Sequence, residues 1–305
     1  MRAVVSGATG AVGMALISQL VSKDVETTVL CREGSVRTNR IRESELVKKV
    51  NCSLERFAKI DLDGKYDVFF HLAWAGTTGK ARNDMYLQND NVRYTLDAVE
   101  LAARSGCKTF VGVGSQAEYG SVGVKLEPMT PTFPEIGYGM AKLAAGQMSR
   151  VRCRELGIRH VWARILSVYG PYDGEGSLVS YAIDKLARGE RASFTKAEQT
   201  WDYLYSADAA RALFAIAERG RDGGVYCLGS EKAQPLYKYI EAIRDAVAPD
   251  ALLGFGDIPY PEGQVMYLCA DISELTRDTG FFPLVSFEDG IRETVKWYYE
   301  ERGDL

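Results

Sequence analysis

The chain opens with "RAVVSGATGAVGMALI", residues 2–17, and the reading of this stretch decides the fold. It begins as a short apolar run suited to a buried strand and ends with the apolar spacing of a helix. Between the two, Gly7, Gly10 and Gly13 follow one another at intervals of three. A strand, a glycine turn and a helix N-terminus together make an anion site: backbone N–H groups converge, the helix dipole is positive, and glycine lets a diphosphate approach the backbone. The pattern G-x-x-G-x-x-G departs from the commoner G-x-G-x-x-G, so its meaning comes from its place after the first strand of an alternating chain. Gly7, Ala8, Thr9, Gly10, Ala11, Val12 and Gly13 are the expected dinucleotide-binding turn.

Outward from this turn, strands are expected at "ETTVLC" (26–31), "RFAKI" (56–60), "DVFFHLA" (67–73), "TFVGVG" (109–114) and "HVWARI" (160–165). Helical stretches lie between them, such as "NVRYTLDAVELAARSG" (91–106), where Val92, Leu96, Val99 and Ala103 share a face and Gly106 ends the run. The alternation predicts an α/β fold, a Rossmann-type doubly wound parallel sheet covered on both faces. The later half carries fewer strands and two glycine-rich loops, 169–177 and 220–224. The expected division is a dinucleotide-binding domain over 1–165 and a smaller C-terminal α/β substrate lobe over 166–305, some of whose segments return to the first domain.

An apolar fraction of 46% over 305 residues is enough for a substantial core. Acidic residues (41) slightly outnumber basic ones (37) and no basic block occurs, so a nucleic-acid surface is not expected. No apolar run of membrane-spanning length and no leader-like start is present, which predicts no membrane partner and a cytoplasmic location. Cysteines 31, 52, 107, 153, 227 and 269 are far apart without a C-x-x-C pair, so they read as reduced core thiols, and no metal site is expected. His71 and His160 are the only histidines and read as satisfied core residues. Proton transfer then falls to Tyr, Lys or a carboxylate.

Cofactor choice is read at the end of the second strand, where an acid would bond the ribose 2′-hydroxyl of NAD. Here Cys31 holds that place and Arg32 follows, which suits the 2′-phosphate of NADP; Glu33, one register step away, keeps NAD open. NADP(H) is favoured. In "GYGMAK", Tyr138 and Lys142 stand at i and i+4, so an ammonium can lower the phenol's pKa and make it a usable acid or base. The same spacing recurs at Tyr181 and Lys185. Only the first pair has a partner: Ser115 directly follows an apolar strand, at the carboxyl edge where α/β sheets bind ligands. Ser115, Tyr138 and Lys142 are the candidate catalytic set, and Tyr181 is read as structural.

Together, the glycines 7-10-13, "NVRYT" (91–95), "GSQAEYG" around Ser115, "GYGMAK", "SVYGP" (167–171) and the closing "ADISELTRDTGFFPLVSFEDGIRETVKWYYEE" resemble the extended short-chain dehydrogenase/reductases that act on nucleotide sugars, the NAD-dependent epimerase/dehydratase family. The resemblance spans essentially the whole chain. It implies that Tyr138 exchanges a proton with a sugar hydroxyl or ketone while hydride moves to or from the nicotinamide, that Ser115 bonds the same oxygen, and that Lys142 also binds the nicotinamide ribose. It further implies cofactor contacts from Asp61 and Leu62 beside the adenine, from Leu72, Ala73 and Trp74 along the wall, and from Asn91, Gly114, Tyr138, Lys142 and Ile165, in addition to Cys31 and Arg32 at the ribose. Substrate contacts are implied for Gln116, Ala117, Ser167, Ser177, Leu178 and Trp201. A nucleotide-linked sugar is the implied substrate, and a homodimer through two long helices near 83–105 and 137–156 the implied assembly.

The departures narrow the reaction. Dehydratases of the family carry Asp-Glu just after the Ser/Thr, whereas this chain has Gln116-Ala117, neither of which moves a proton at neutral pH. Glu118 is expected to point away from the sugar along an extended strand end. Arg-Asp of many relatives is Trp201-Asp202 here, and "YPEGQV" (260–265) lacks the arginine that often clamps the diphosphate. These features resemble the branch containing 4-keto-6-deoxy sugar reductases. The expectation is an NADPH-dependent 4-ketoreductase of a nucleotide-linked 4-keto-6-deoxyhexose. An NAD-dependent 4-epimerase is the alternative, with a 4,6-dehydratase disfavoured. A non-catalytic cofactor sensor or scaffold is the reading from another class, for which an intact Ser-Tyr-Lys set has no use.

Overall fold

The computed structural model describes residues 1–302. Seven parallel strands form the central sheet: β1 (Arg2–Ser6), β2 (Glu26–Cys31), β3 (Val47–Asn51), β4 (Val68–His71), β5 (Thr109–Ser115), β6 (Arg159–Ile165) and, after four short strands, β11 (Gly224–Leu228). The short strands are β7 (Ser167–Tyr169), β8 (Ala192–Phe194), β9 (Thr200–Trp201) and β10 (Tyr203–Tyr205). The sheet order is β11-β6-β5-β4-β1-β2-β3. It reverses direction between β1 and β4, so a crevice opens at the carboxyl ends of those two strands. This is the expected Rossmann-type arrangement.

Strand side chains alternate between two apolar layers, as the pleat requires. Ala3, Val5, Val29, Phe70 and Val111 pack with Leu16 and Leu20 of α1 (Ala11–Val21) and with Ala209, Leu213 and Ile216 of α5 (Ser206–Arg219). Val4, Leu30, Phe69 and Phe110 face the other way, onto Ala98, Val99 and Leu101 of α2 (Met85–Arg104). The next helix, α3 (Gly137–Glu155), lies beside α2. A separate cluster joins α4 (Leu178–Ala187), α6 (Leu236–Val247) and α8 (Phe287–Arg302) through Ile183, Ile240, Phe287 and Ile291. No helix among the described residues is long and apolar enough to cross a membrane.

Two strand expectations need correction. Residues 56–60 are a helical turn, in which the Lys59 and Ile60 amides both donate to the Arg56 carbonyl. Phe57 and Ile60 are three apart and turn toward one layer, which a strand would not allow. The third strand is "VKKVN" (47–51), disguised by two lysines, residues that blunt an open sheet edge. The chain also returns to the sheet at β11, at the end of the 220–224 loop; its Val225 and Cys227 pair with Trp162 and Arg164 of β6.

The cysteines lie where expected and both histidines are core residues, but His160 Nδ1 is buried without a hydrogen-bond partner among the described residues, so His160 is not fully satisfied. All six thiols are free and buried. His71 shares a 2.9 Å hydrogen bond with Ser6 Oγ, and His160 shares one of the same length with Ser149 Oγ while stacked between Phe110 and Trp162. Burial, with the nearby Lys142 charge, lowers His71 to about 3, and burial lowers His160 to about 4. The unfolded chain protonates both below about pH 6.5, a proton the folded core refuses until pH 3–4, so acidification favours unfolding. Each histidine contributes a slope of about 1.4 kcal/mol per pH unit. His160→Gln is therefore expected to remove close to half of the fall in stability between about pH 6 and pH 5, measured by urea unfolding at several pH values.

Candidate active site

The glycine turn closes on itself. Gly7 has φ +75°, a conformation that favours glycine, and a Cβ there would run into the backbone of Leu72 and Ala73. A Cβ on Gly13 would lie 2.5 Å from Ala8 Cα, so this glycine lets α1 press onto the turn. Gly10 differs: it precedes the first residue of α1, and its Cβ direction meets nothing within 4 Å. That open face stands at the positive end of a helix, which fits a dinucleotide diphosphate. A cleft of 590 Å³ runs from Gly7, Ala8 and Thr9 over the carboxyl edge of the sheet; Gly10 is not among its lining residues. Gly7, Ala8 and Thr9 lie at one end, Ala73 and Trp74 on a wall, and Cys31, Arg32, Ser35 and Arg37 at the other end.

Several expected cofactor residues sit elsewhere or act indirectly. Asp61 is solvent-exposed and paired with Arg104, and Leu62 packs under the sheet; neither lines the cleft. Their place is taken by Cys52, Ser53 and Leu54, which follow the true β3. The misplaced third strand caused both errors. Leu72 supports the turn through its backbone, against which Gly7 packs. Asn91 spends its side-chain amide on the chain after β4, accepting from Ala75 N and donating to the Ala75 and Leu87 carbonyls. Gly114 is small for a reason unrelated to a cofactor: a Cβ would collide with Glu118 and Trp162. Ile165 is half-buried in register with Ser115 on the neighbouring strand. Arg37 was missed because it lies five residues beyond Arg32, in a turn with no periodic signal.

Ser115 ends β5 and caps the 3-10 turn Gln116–Glu118: its hydroxyl accepts from Ala117 N at 3.2 Å, while Glu118 accepts from Ser115 N at 2.8 Å. Glu118 is thereby directed into the core, where Arg164 donates to it at 2.7 Å and Trp162 Nε1 at 3.0 Å. It turns away from the cleft as expected, but through a capping box rather than an extended strand end. Gln116 and Ala117 sit in this turn, with the α3 residue Gly139 close against the Ala117 carbonyl.

Tyr138 and Lys142 lie on the first turns of α3. Tyr138 packs edge-on to Trp74, with ring centroids 6.1 Å apart. Burial raises its pKa above the ordinary phenol range; the Ser115 hydroxyl and the charge of Arg82 pull the other way. Lys142 is buried, donates to the Val113 carbonyl at 2.6 Å and places Nζ 3.8 Å from the centre of the Trp74 ring. Burial brings its pKa down to about 7. The expected lowering of Tyr138 by Lys142 is thus corrected: the amine is turned to Val113, and the cation nearest the phenol ring is Arg82, 4.8 Å from its centroid against 5.9 Å for Lys142 Nζ.

By contrast, the second tyrosine–lysine pair is structural. Tyr181 bridges Ser193 N and O, and Lys185 pairs with Glu190. Of the expected substrate contacts, Trp201 and Ser167 come together, Trp201 Nε1 donating to Ser167 Oγ at 2.8 Å. Ser177 caps α4 by accepting from Ser180 N, and Leu178 packs on the α4–α6–α8 cluster. No group of side chains suited to a metal ion occurs among the described residues.

The model of the family described as "NAD dependent epimerase/dehydratase family" matches residues 3–229, from the first strand to the last strand of the sheet. The chain belongs to that family. Its members are enzymes of the extended short-chain dehydrogenase/reductase type. A dTDP-glucose 4,6-dehydratase of Streptomyces griseus is 26% identical over 220 residues, covering 70% of this chain and 65% of that protein. Another, from Neisseria meningitidis serogroup B, is 28% identical over 208 residues, covering 63% and 58%. The chain thus spans about three fifths of the length of these two curated relatives. In fold it is similar to a UDP-N-acetylglucosamine 4-epimerase of Methanobrevibacter ruminantium, with a TM-score of 0.89 at 23% identity over 98% of both chains.

Two outcomes test this geometry. Gly10→Ala is expected to leave the urea midpoint almost unchanged yet weaken NAD(P)H binding by about tenfold, whereas Gly13→Ala costs about 1–3 kcal/mol of stability through overpacking. Arg164→Met strands the Glu118 charge in the core and is expected to cost about 3–5 kcal/mol in the same denaturation measurement.

Proposed function

We propose that this protein is an NADPH-dependent reductase of a nucleotide-linked 4-keto-6-deoxyhexose. The observation that carries the reading is the make-up of the turn after Ser115. Elimination of water across C5 and C6 of a sugar needs an acid and a base beside the substrate. Gln116 and Ala117 supply neither, and the one carboxylate of the turn, Glu118, is held by Arg164 and Trp162 in the core. Hydride and proton transfer at a single carbonyl needs only Ser115, Tyr138 and Lys142.

In this reading the Ser115 hydroxyl donates to the C4 carbonyl oxygen and orients it. When bound, the reduced nicotinamide supplies the hydride to C4. Tyr138 gives its phenolic proton to the oxygen, completing the alcohol, and is reprotonated from solvent. Lys142, with a pKa near neutrality, is suited to relay that proton. Arg32 and Arg37, both exposed at the end of the cleft beyond β2, support the choice of NADPH, because a 2′-phosphate there gains two cationic partners. Trp201, half-buried and hydrogen-bonded to Ser167, offers a flat surface toward the substrate side. Exposed Met148 and Val151 on α3, with Tyr86 at the start of α2, support a homodimer through these helices.

Adding a nucleotide-linked 4-keto-6-deoxyhexose is expected to cause stoichiometric oxidation of NADPH, followed at 340 nm. Tyr138→Phe should lower kcat by about 10²- to 10⁴-fold. Arg32→Glu should raise KM for NADPH more than for NADH. Interconversion of two nucleotide sugars without added cofactor, on NAD that copurifies, would overturn the reductase in favour of an epimerase.

A further inference from the structure

Arg82 is placed with unusual firmness for a residue of a connecting segment. It lies in the 3-10 turn Gly79–Asn83, which is tied down on both sides. Gln88 Nε2 donates to the Gly76 and Ala81 carbonyls, each at 2.9 Å. On the other side, Asn83 Oδ1 accepts from Gly137 N at 2.9 Å, so the turn caps the helix that carries Tyr138. Gly137 is glycine at this junction because a Cβ would lie 2.8 Å from Met85 Sδ and 3.2 Å from the Arg82 carbonyl. The guanidinium then rests 4.8 Å from the centre of the Tyr138 ring, and its Nε is buried without a hydrogen-bond partner among the described residues. An arginine held over an aromatic face with an unused donor is not explained by packing alone.

We propose that Arg82 is a positioning residue for the reaction at Tyr138: held over the face of the phenol ring, it supplies the fixed positive charge that favours the phenolate. This deepens the functional reading above and rests on Tyr138 being its proton donor. The other charged groups facing the ring do not fill the role. Lys142, one turn along α3, is 5.9 Å from the ring centre and committed to the Val113 carbonyl. Glu118, from the turn after β5, acts in the opposite sense and is neutralised by Arg164. Trp74, from the wall after β4, contributes only its ring edge. A guanidinium in a protein is always charged, so its influence is constant where that of an amine titrating near neutrality is not. An opposite charge within about 4–6 Å of an acid typically lowers its pKa by about one unit or more.

The test needs neither cofactor nor substrate. With tyrosine labelled at Cζ with carbon-13, Tyr138→Phe identifies the Tyr138 resonance, and its titration is followed by NMR up to about pH 11.5. Arg82→Met is expected to raise the midpoint by about one unit or more, while Arg82→Lys, which keeps the charge, raises it by less than half as much. Equal midpoints in Arg82→Met and the unmutated protein would overturn the proposal, as would an unmutated resonance that stays that of the phenol throughout. Should Arg82→Met fail to fold, Arg82→Gln carries the same comparison. In the reductase assay Arg82→Met should lower kcat by up to about tenfold with KM for the sugar nearly unchanged. A shifted midpoint with no turnover of any keto sugar nucleotide would leave the role of Arg82 standing and sink the reductase; turnover with an unshifted midpoint would do the reverse.

Discussion

The buried pair of Glu118 and Arg164 is the constraint on which the catalytic end of the sheet depends. One carboxylate caps the Ser115 amide, receives the Trp162 indole and faces a guanidinium that is itself almost fully buried and donates on to the Pro128 carbonyl. Two charges removed from water are tolerated only when every donor and acceptor around them is used, and here the surroundings are built for it. Gly114 is small to admit the carboxylate, and Gly112 and Gly146 are small to admit the Trp162 ring. The pair thus ties β5, β6 and α3 together at the point where the serine emerges. The three catalytic candidates inherit their relative placement from a network that touches none of the reacting atoms.

This arrangement separates the scaffold from the choice of reaction. The relatives named above are dehydratases in sequence and an epimerase in fold, while the turn after Ser115 in this chain carries Gln116 and Ala117. Because Glu118 belongs to the core, it is not a reserve acid that a small movement could bring into play.

Much of this was legible in the chain itself. The glycine turn, the strand that delivers Ser115 and the tyrosine–lysine helix are local patterns with a direct physical meaning, and the first, second, fourth, fifth and sixth strands are short apolar runs. The third strand was not legible because its lysines hide the alternation at an edge, whereas "RFAKI" carries its apolar residues at a spacing that fits one turn of helix equally well. With the third strand misplaced, Asp61 and Leu62 are read as lining the cleft, where the structure has Cys52 and Ser53. The electrostatics of Tyr138 were hidden for another reason. Sequence spacing places Lys142 on the right face but says nothing of where its amine points, and Arg82 comes from 56 positions upstream. Glu118 turned inward as its position suggested, though the cause was a cap that only the folded turn reveals.

The lysine-bearing β3 has a further consequence. It is the outermost strand of a parallel sheet, with Lys48 in solvent and Lys49 half-covered and bonded to the Ile41 carbonyl. Another chain extending the sheet there would have to strip water from the Lys48 ammonium and displace Lys49 from the Glu43 carboxylate and the Ile41 carbonyl. The architecture therefore discourages end-to-end growth into fibrils at this flank.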